Sequence, residues 1–176
     1  MAIDRQKTET VHWHAVFTAS RAEKKVRGRL EELGVECFLP VQTVLRQWTY
    51  RKSRVVVPVI AGLVFVRVSR QEQVKVLQTK GVVAFLRLKG EAGAAVIPDK
   101  QMEDFRFLLD FSEEAVEMTN ENIKAGDLVR VVKGSLRGME GELIRHKGVT
   151  KVLVRIDMLG CAMVNIPASF VEKLNK

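Results

Sequence analysis

Apolar and polar positions alternate over residues 11–18, with Trp13, Ala15 and Phe17 on one side and His12, His14, Val16 and Thr18 on the other. A period of two is that of a strand. Ser20-Arg-Ala-Glu23 has the spacing of a capping box. Ala22, Val26, Leu30 and Leu33 then recur as one helical stripe that ends at Gly34, with Arg21, Lys24, Lys25 and Arg29 on the opposite face. Residues 35–41 read as a strand broken at Pro40. Residues 43–50 and 54–60 read as two strands around a basic turn, Arg51-Lys-Ser-Arg54, and residues 63–68 as another, entered through Gly62. A second capping box, Ser69-Arg-Gln-Glu72, opens a helix with Val74 and Leu77 inward. Residues 82–88 read as a strand, and Pro98-Asp99 opens a helix with Met102, Phe105, Leu108 and Leu109 inward. This order predicts an α+β fold, a ferredoxin-like sandwich of antiparallel sheet and helices.

Helical patterns stop after residue 112. Residues 127–133, 140–146, 151–156 and 162–166, with a short fifth piece at 170–174, are β-rich and punctuated by Gly134, Gly138, Gly141, Gly148 and Gly160. Five short strands predict a small closed barrel, because closure removes exposed edges. Leu128, Val131, Leu143, Val152, Val154 and Ile156 are its expected interior.

Charge separates these parts. Residues 1–112 hold 19 basic and 12 acidic side chains, residues 113–122 four acids and no base, and residues 123–176 ten basic and five acidic. The acidic stretch reads as a linker between two basic domains, or as the fraying end of the preceding helix. The expected organisation is a flexible N-terminus at 1–10, an α/β domain at 11–112, a linker at 113–123 and a barrel at 124–176. The net charge of +8 points to a polyanionic partner. Polar residues 1–10 lack the apolar core of a signal peptide, so a cytoplasmic protein is expected.

Candidate chemistry is sparse. Cys37 and Cys161 sit in alternating apolar runs and read as buried thiols. No CxxC pair is present, and no Gly-Lys-Ser/Thr closes the glycine-dense run at 134–141. His12 and His14 share a strand face, but a third metal ligand has no source in the pattern. No nucleophile–base set emerges from spacing, so neither an enzyme nor a cofactor is expected. The informative segment is the hairpin, where Arg46, Trp48, Tyr50, Arg51, Lys52 and Arg54 interleave cations with rings. It suits phosphates and stacked bases, and equally a tip charged for solubility.

The runs Trp13-His-Ala-Val-Phe17, Arg21-Ala-Glu-Lys-Lys-Val26, Leu39-Pro40, Gly62-Leu-Val-Phe-Val66, Gly81-Val-Val-Ala-Phe85 and Val96-Ile-Pro98 resemble the NGN domain of NusG-type transcription elongation factors. Gly126-Asp-Leu-Val-Arg-Val-Val with Gly134-Ser-Leu-Arg-Gly138-Met-Glu-Gly141 is similar to a KOW motif. Val44-Leu-Arg-Gln-Trp48 followed by Arg51-Lys52 resembles the UpxY type, specialised antiterminator paralogues related to RfaH that act on selected long operons such as capsular polysaccharide operons.

The resemblance implies docking on the β′ clamp helices of RNA polymerase through Phe17, Val59, Ile60, Leu63, Phe65 and Val96. It implies a contact with the β-subunit gate loop near Glu72, Gln73 and Val74. Arg21, Lys24, Arg46, Trp48, Arg51 and Lys52 would then meet non-template DNA. The family's Phe-Pro-Gly-Tyr is replaced here by Ile60-Ala61-Gly62-Leu63, so both aromatics have become aliphatic. The KOW domain implies a ribosomal protein or Rho as partner. A monomer that suppresses pausing is expected, with a KOW-containing RNA-binding or ribosome-associated protein, or a housekeeping NusG, as the alternatives. Residues 124–174 are β-branched and glycine-rich, which predicts a stable β domain rather than a helical alternative.

Overall fold

The computed structural model describes residues 9–175, so most of the segment expected to be a flexible N-terminus lies outside the described residues. In chain order the elements are β1 (His12–Thr18), α1 (Glu23–Glu32), β2 (Glu36–Phe38), β3 (Val41–Trp48), β4 (Arg51–Pro58), β5 (Leu63–Val68), α2 (Glu72–Gln78), β6 (Val82–Phe85) and α3 (Asp99–Phe111). They continue with β7 (Glu117–Thr119), β8 (Asp127–Val131), β9 (Glu140–His146), β10 (Val149–Ile156), β11 (Gly160–Asn165) and β12 (Val171–Lys173). The fold is mixed α/β. The chain divides into two units, residues 9–39 with 62–96 and residues 40–61 with 97–175.

The first unit is a four-stranded antiparallel sheet in the order β2-β5-β1-β6. With α1 between β1 and β2, and α2 between β5 and β6, it has the split β-α-β arrangement expected from the alternation of patterns. Val26 and Leu30 of α1 and Val76 of α2 are buried. Leu33 is exposed, because the helix caps there and the chain turns away through Gly34. Val74 and Leu77 also point outward, contrary to expectation, since this short helix turns Val76 to the core instead. Gly81, at φ +100, leaves no room for a side chain: a Cβ there would stand 2.8 Å from a methyl of Val26.

The two capping boxes part company. At α2 the Ser69 N–H donates to the Glu72 carboxylate at 2.8 Å and the Glu72 N–H to the Ser69 hydroxyl at 3.4 Å, the reciprocal pair. At α1 no side chain caps, and Arg21 takes a left-handed φ of 57°. Glu23 accepts instead from the N–H of Gly62 at 2.7 Å, a long-range bond that local spacing does not reveal.

The second unit holds the β3–β4 hairpin, α3 and a six-stranded antiparallel sheet in the order β12-β8-β9-β10-β11-β7. The hairpin turns at Thr49-Tyr50, not at the basic Arg51–Arg54 run, which belongs to β4. Met102, Phe105 and Leu108 are the buried stripe of α3. Its Gln101 side chain accepts from the Asp157 N–H, just beyond β10, at 2.8 Å. One sheet face buries Val129, Val131, Val152, Val154, Ile156, Ala162 and Val164. Leu128, expected inside, is exposed. It lies three residues from Val131, so a period-two strand puts the two on opposite faces.

Part of the acidic stretch is strand. β7 pairs with β11, joining Glu117 to Met163 and Thr119 to Cys161. Ile144, Leu153, Cys161 and Met163 form a second buried cluster on the other face, and Ile123 packs against it. Glu117 pairs with the buried Lys151 ammonium at 2.7 Å. Arg155 bonds the Ile123 carbonyl at 3.0 Å and grips both oxygens of Glu142, which also takes the Gly126 N–H.

The Arg155 guanidinium holds the Glu142 carboxyl below its ordinary value, with help from the Gly126 N–H and against the upward pull of burial. A carboxyl lowered by folding contributes fully above the ordinary carboxylate range and loses its contribution as pH falls through the folded value. Glu142→Gln is therefore expected to cost on the order of 2 kcal/mol at neutral pH. It should also flatten the acid limb of a melting-temperature profile measured against pH.

Candidate functional site

Strand β1 is buried from Trp13 to Val16, and the exception in its apolar run is Phe17, 42% exposed. Phe17 sits opposite Leu63 on β5 and Ala84 on β6, so the three share a sheet face. The β1–β6 register slips between Phe17 and Thr18, at the end where the ring emerges. Leu63 and Phe65 share this face but are only 1% and 0% exposed. They are core residues of a strand that lies between β2 and β1 and is buried on both faces over Leu63 to Val66. Val96 is 49% exposed between buried Ala95 and Ile97. Val59 and Ile60 are half-buried where the hairpin ends, and the Val59 N–H closes its base on the Pro40 carbonyl at 2.8 Å.

Glu72, Gln73 and Val74 form the first turn of α2. The Glu72 carboxylate is committed to its cap, Gln73 is half-buried with its amide 3.4 Å from His14 Nε2, and Val74 is exposed. His14 is buried, with Nδ1 2.8 Å from the Ala95 carbonyl and its ring edge-on to Phe85. Burial lowers its pKa, opposed by the Ala95 bond and aided by nearby His12. Its two nitrogens thus already have partners. Among the described residues no His, Cys, Asp and Glu group has the arrangement of a metal site. Burial likewise raises the thiols, that of Cys37 to about 11.

Arg21 and Lys24 are exposed at the start of α1. The hairpin cations are sorted by its register, which pairs Trp48 with Arg51, Gln47 with Lys52, Arg46 with Ser53 and Leu45 with Arg54. Opposed residues share a side and successive residues change it. Arg46, Trp48, Arg51 and Ser53 therefore stand on one face, and Lys52 and Arg54 on the other with Leu45 and Val56. Trp48 is 55% exposed and its indole N–H donates to the Ser53 hydroxyl at 3.0 Å. Tyr50 stands at the tip, 98% exposed. Sequence reasoning missed Ser53. Its signal was the turn position, which sets which residues face each other.

Among the described residues no helix is long and apolar enough to cross a membrane. A family model described as transcription termination factor nusG matches residues 11–106, more than half of the chain. No curated protein matches. Among solved structures the chain is similar to one titled "Domain interaction in Thermotoga maritima NusG", with 22% identity, a TM-score of 0.51, and coverage of 94% of this chain and 98% of that one. It is also similar to a chain in the MjSpt4:Spt5 complex, conformation B, with 17% identity, a TM-score of 0.31, and coverage of 93% and 97%. The family match falls on the strands and helices that present Phe17, the first turn of α2 and the basic hairpin. The chain belongs to the family of the transcription termination factor NusG.

Proposed function

We propose that this protein binds RNA polymerase at the β′ clamp helices and suppresses pausing or termination, as a specialised antiterminator of the UpxY and RfaH kind acting on selected long operons such as capsular polysaccharide operons. The observation that carries this reading is the exposed Phe17 ring at the end of a strand that is buried from Trp13 to Val16. Phe17 and Val96 are the apolar anchors, Val59 and Ile60 add contacts, and Leu63 and Phe65 support them from the core. The first turn of α2, Glu72 to Val74, meets the β gate loop, with Val74 as its exposed apolar residue. Arg21, Lys24, Arg46, Trp48, Arg51 and Lys52 meet non-template DNA.

In this reading residues 11–112 are the NGN domain, residues 113–123 the connection, and residues 124–176 a KOW β-barrel that recruits a ribosomal protein or Rho. The protein works in the cytoplasm as a monomer and by binding, not by catalysis.

Capture of core RNA polymerase by the full chain tests it. Apolar docking resists salt, whereas phosphate binding falls steeply with it. Phe17→Asp, at an exposed site, is expected to keep the fold by circular dichroism and to weaken salt-resistant capture by about tenfold or more, the scale of one buried aromatic ring. Capture unchanged in Phe17→Asp, or lost equally by all variants as salt rises, overturns the reading. The second reading, an RNA-binding or ribosome-associated protein, draws support from the hairpin cations, which form no ion pair with the described residues.

A further inference from the structure

Residues 114–126 run as a belt along the β11 edge and across one face of the six-stranded sheet. Glu117 and Thr119 pair with Met163 and Cys161, and Ile123 packs on the cluster of Ile144, Leu153, Cys161 and Met163. Side chains hold the start of the belt. The Gln42 amide accepts from the Val116 N–H at 2.9 Å and donates to the Val116 carbonyl at 3.2 Å, and the Asn165 amide donates to the Glu114 carboxylate at 2.8 Å. Three register pairs join the belt to β11, against six between β11 and β10. The belt can therefore leave while the sheet behind it stays paired.

The surface beneath suits one kind of chain. The Lys151 side chain is only 5% exposed, and its partner is the half-exposed Glu117 carboxylate at 2.7 Å. A buried ion pair adds little net stability over a well-packed apolar pair, whereas a buried ammonium left alone is costly. Lys151 thus selects an acidic occupant more than it secures the fold. Gly160 keeps the edge open to a strand, since a Cβ there would run into the Thr119 carbonyl. The edge takes a strand backbone, Lys151 a carboxylate, and the cluster an apolar side chain six residues further on, as Ile123 follows Glu117.

We propose that the belt is displaceable, and that the β11 edge with Lys151 is a docking site for an extended acidic segment of a partner protein, which adds to the sheet in place of β7. The partner's carboxylate takes the place of Glu117 and its apolar side chain that of Ile123. Neither Phe17 nor the hairpin takes part, so the proposal stands or falls apart from the polymerase reading.

The test uses the full chain with Cys37→Ser, which leaves Cys161 as the one thiol. Cys161 is buried beneath the belt, so its labelling by a maleimide reports opening. The probe is a labelled peptide of residues 113–126. Glu117→Lys, which sets two ammonium groups against each other, is expected to speed labelling about tenfold or more while circular dichroism keeps the native spectrum. The opened variant should bind the peptide more tightly than the native chain does, because its own belt no longer competes, and bound peptide should slow labelling again. The peptide carrying E117Q should bind about tenfold more weakly, the scale of one charge-assisted hydrogen bond. In the native chain, amides of the β7–β11 ladder should exchange with deuterium ahead of those between β10 and β11.

Ladder amides that exchange only together with the β10–β11 amides overturn the displaceable belt, whether or not Glu117→Lys folds. An opened variant that ignores the peptide overturns the docking site. One that dimerises instead assigns the edge to the belt of a second copy and overturns the partner. Equal binding of the native and E117Q peptides overturns the role of Lys151 in selecting an acidic chain.

Discussion

Replacing Arg46, Arg51, Lys52 and Arg54 together by serine is expected to remove most of the salt sensitivity of nucleic-acid binding. Each phosphate neutralised by a cation contributes about −0.7 to the slope of log K against log salt for a single strand. Four lost contacts lower the slope by about three. Between 50 and 200 mM salt the native protein should therefore lose about 50-fold more affinity than the variant. The residues lie on an exposed hairpin, and among the described residues they hold no ion pair whose loss would unfold it. Stability should stay within about 0.5 kcal/mol. A salt slope unchanged in the variant would place the phosphate contacts elsewhere, with Arg21, just before α1, and Lys24 in it as the next to replace.

The second large effect concerns two phenylalanines that share a sheet face. Phe65→Ala removes a fully buried ring and is expected to cost about 3–5 kcal/mol, enough to unfold much of the chain at physiological temperature. Phe17→Ala removes a ring that is already half in water. Its stability cost should stay below about 1.5 kcal/mol, with the main loss in polymerase capture. Chemical denaturation of the two variants, read beside capture at high salt, separates packing from docking. Equal stability costs would mean that Phe17 is part of the core. An unaffected capture would remove it from the docking surface.

These two residues also mark what the sequence could convey. Alternation placed Trp13, Ala15 and Phe17 together on β1, and the structure agrees. Alternation names a face, however, and cannot tell which end of that face is covered. Cover depends on strands β5 and β6, which arrive from distant sequence, and on the register slip beside Phe17. The split β-α-β order was legible because each element carries its own period. The capping box at α2 was legible because both partners lie within four residues. The equivalent pattern at α1 was misleading because Gly62, far along the chain, competes for Glu23.

The hairpin shows the same limit at the site itself. Its composition was plain, yet the turn lies three residues earlier than its charge suggested. That shift reassigns which cations stand beside Trp48. β7 was invisible for another reason. A three-residue strand shows no period, and its acidic composition imitates solvent-exposed chain. What orders it is a ladder to β11 and the buried Lys151, neither of which the local sequence contains.

That short strand sets the length of a leash. With β7 seated, only Ser112–Val116 separates the end of α3 from the six-stranded sheet, about 17 Å of fully extended chain. With β7 and the following residues peeled away, the tether runs to Asp127 and reaches about 50 Å. The volume searched by whatever the sheet carries grows roughly as the cube of that radius. The β7 ladder, the Glu117–Lys151 pair, the Arg155 bond to the Ile123 carbonyl and the Glu142 bond to the Gly126 N–H together separate the short reach from a long one with about 25-fold lower local concentration.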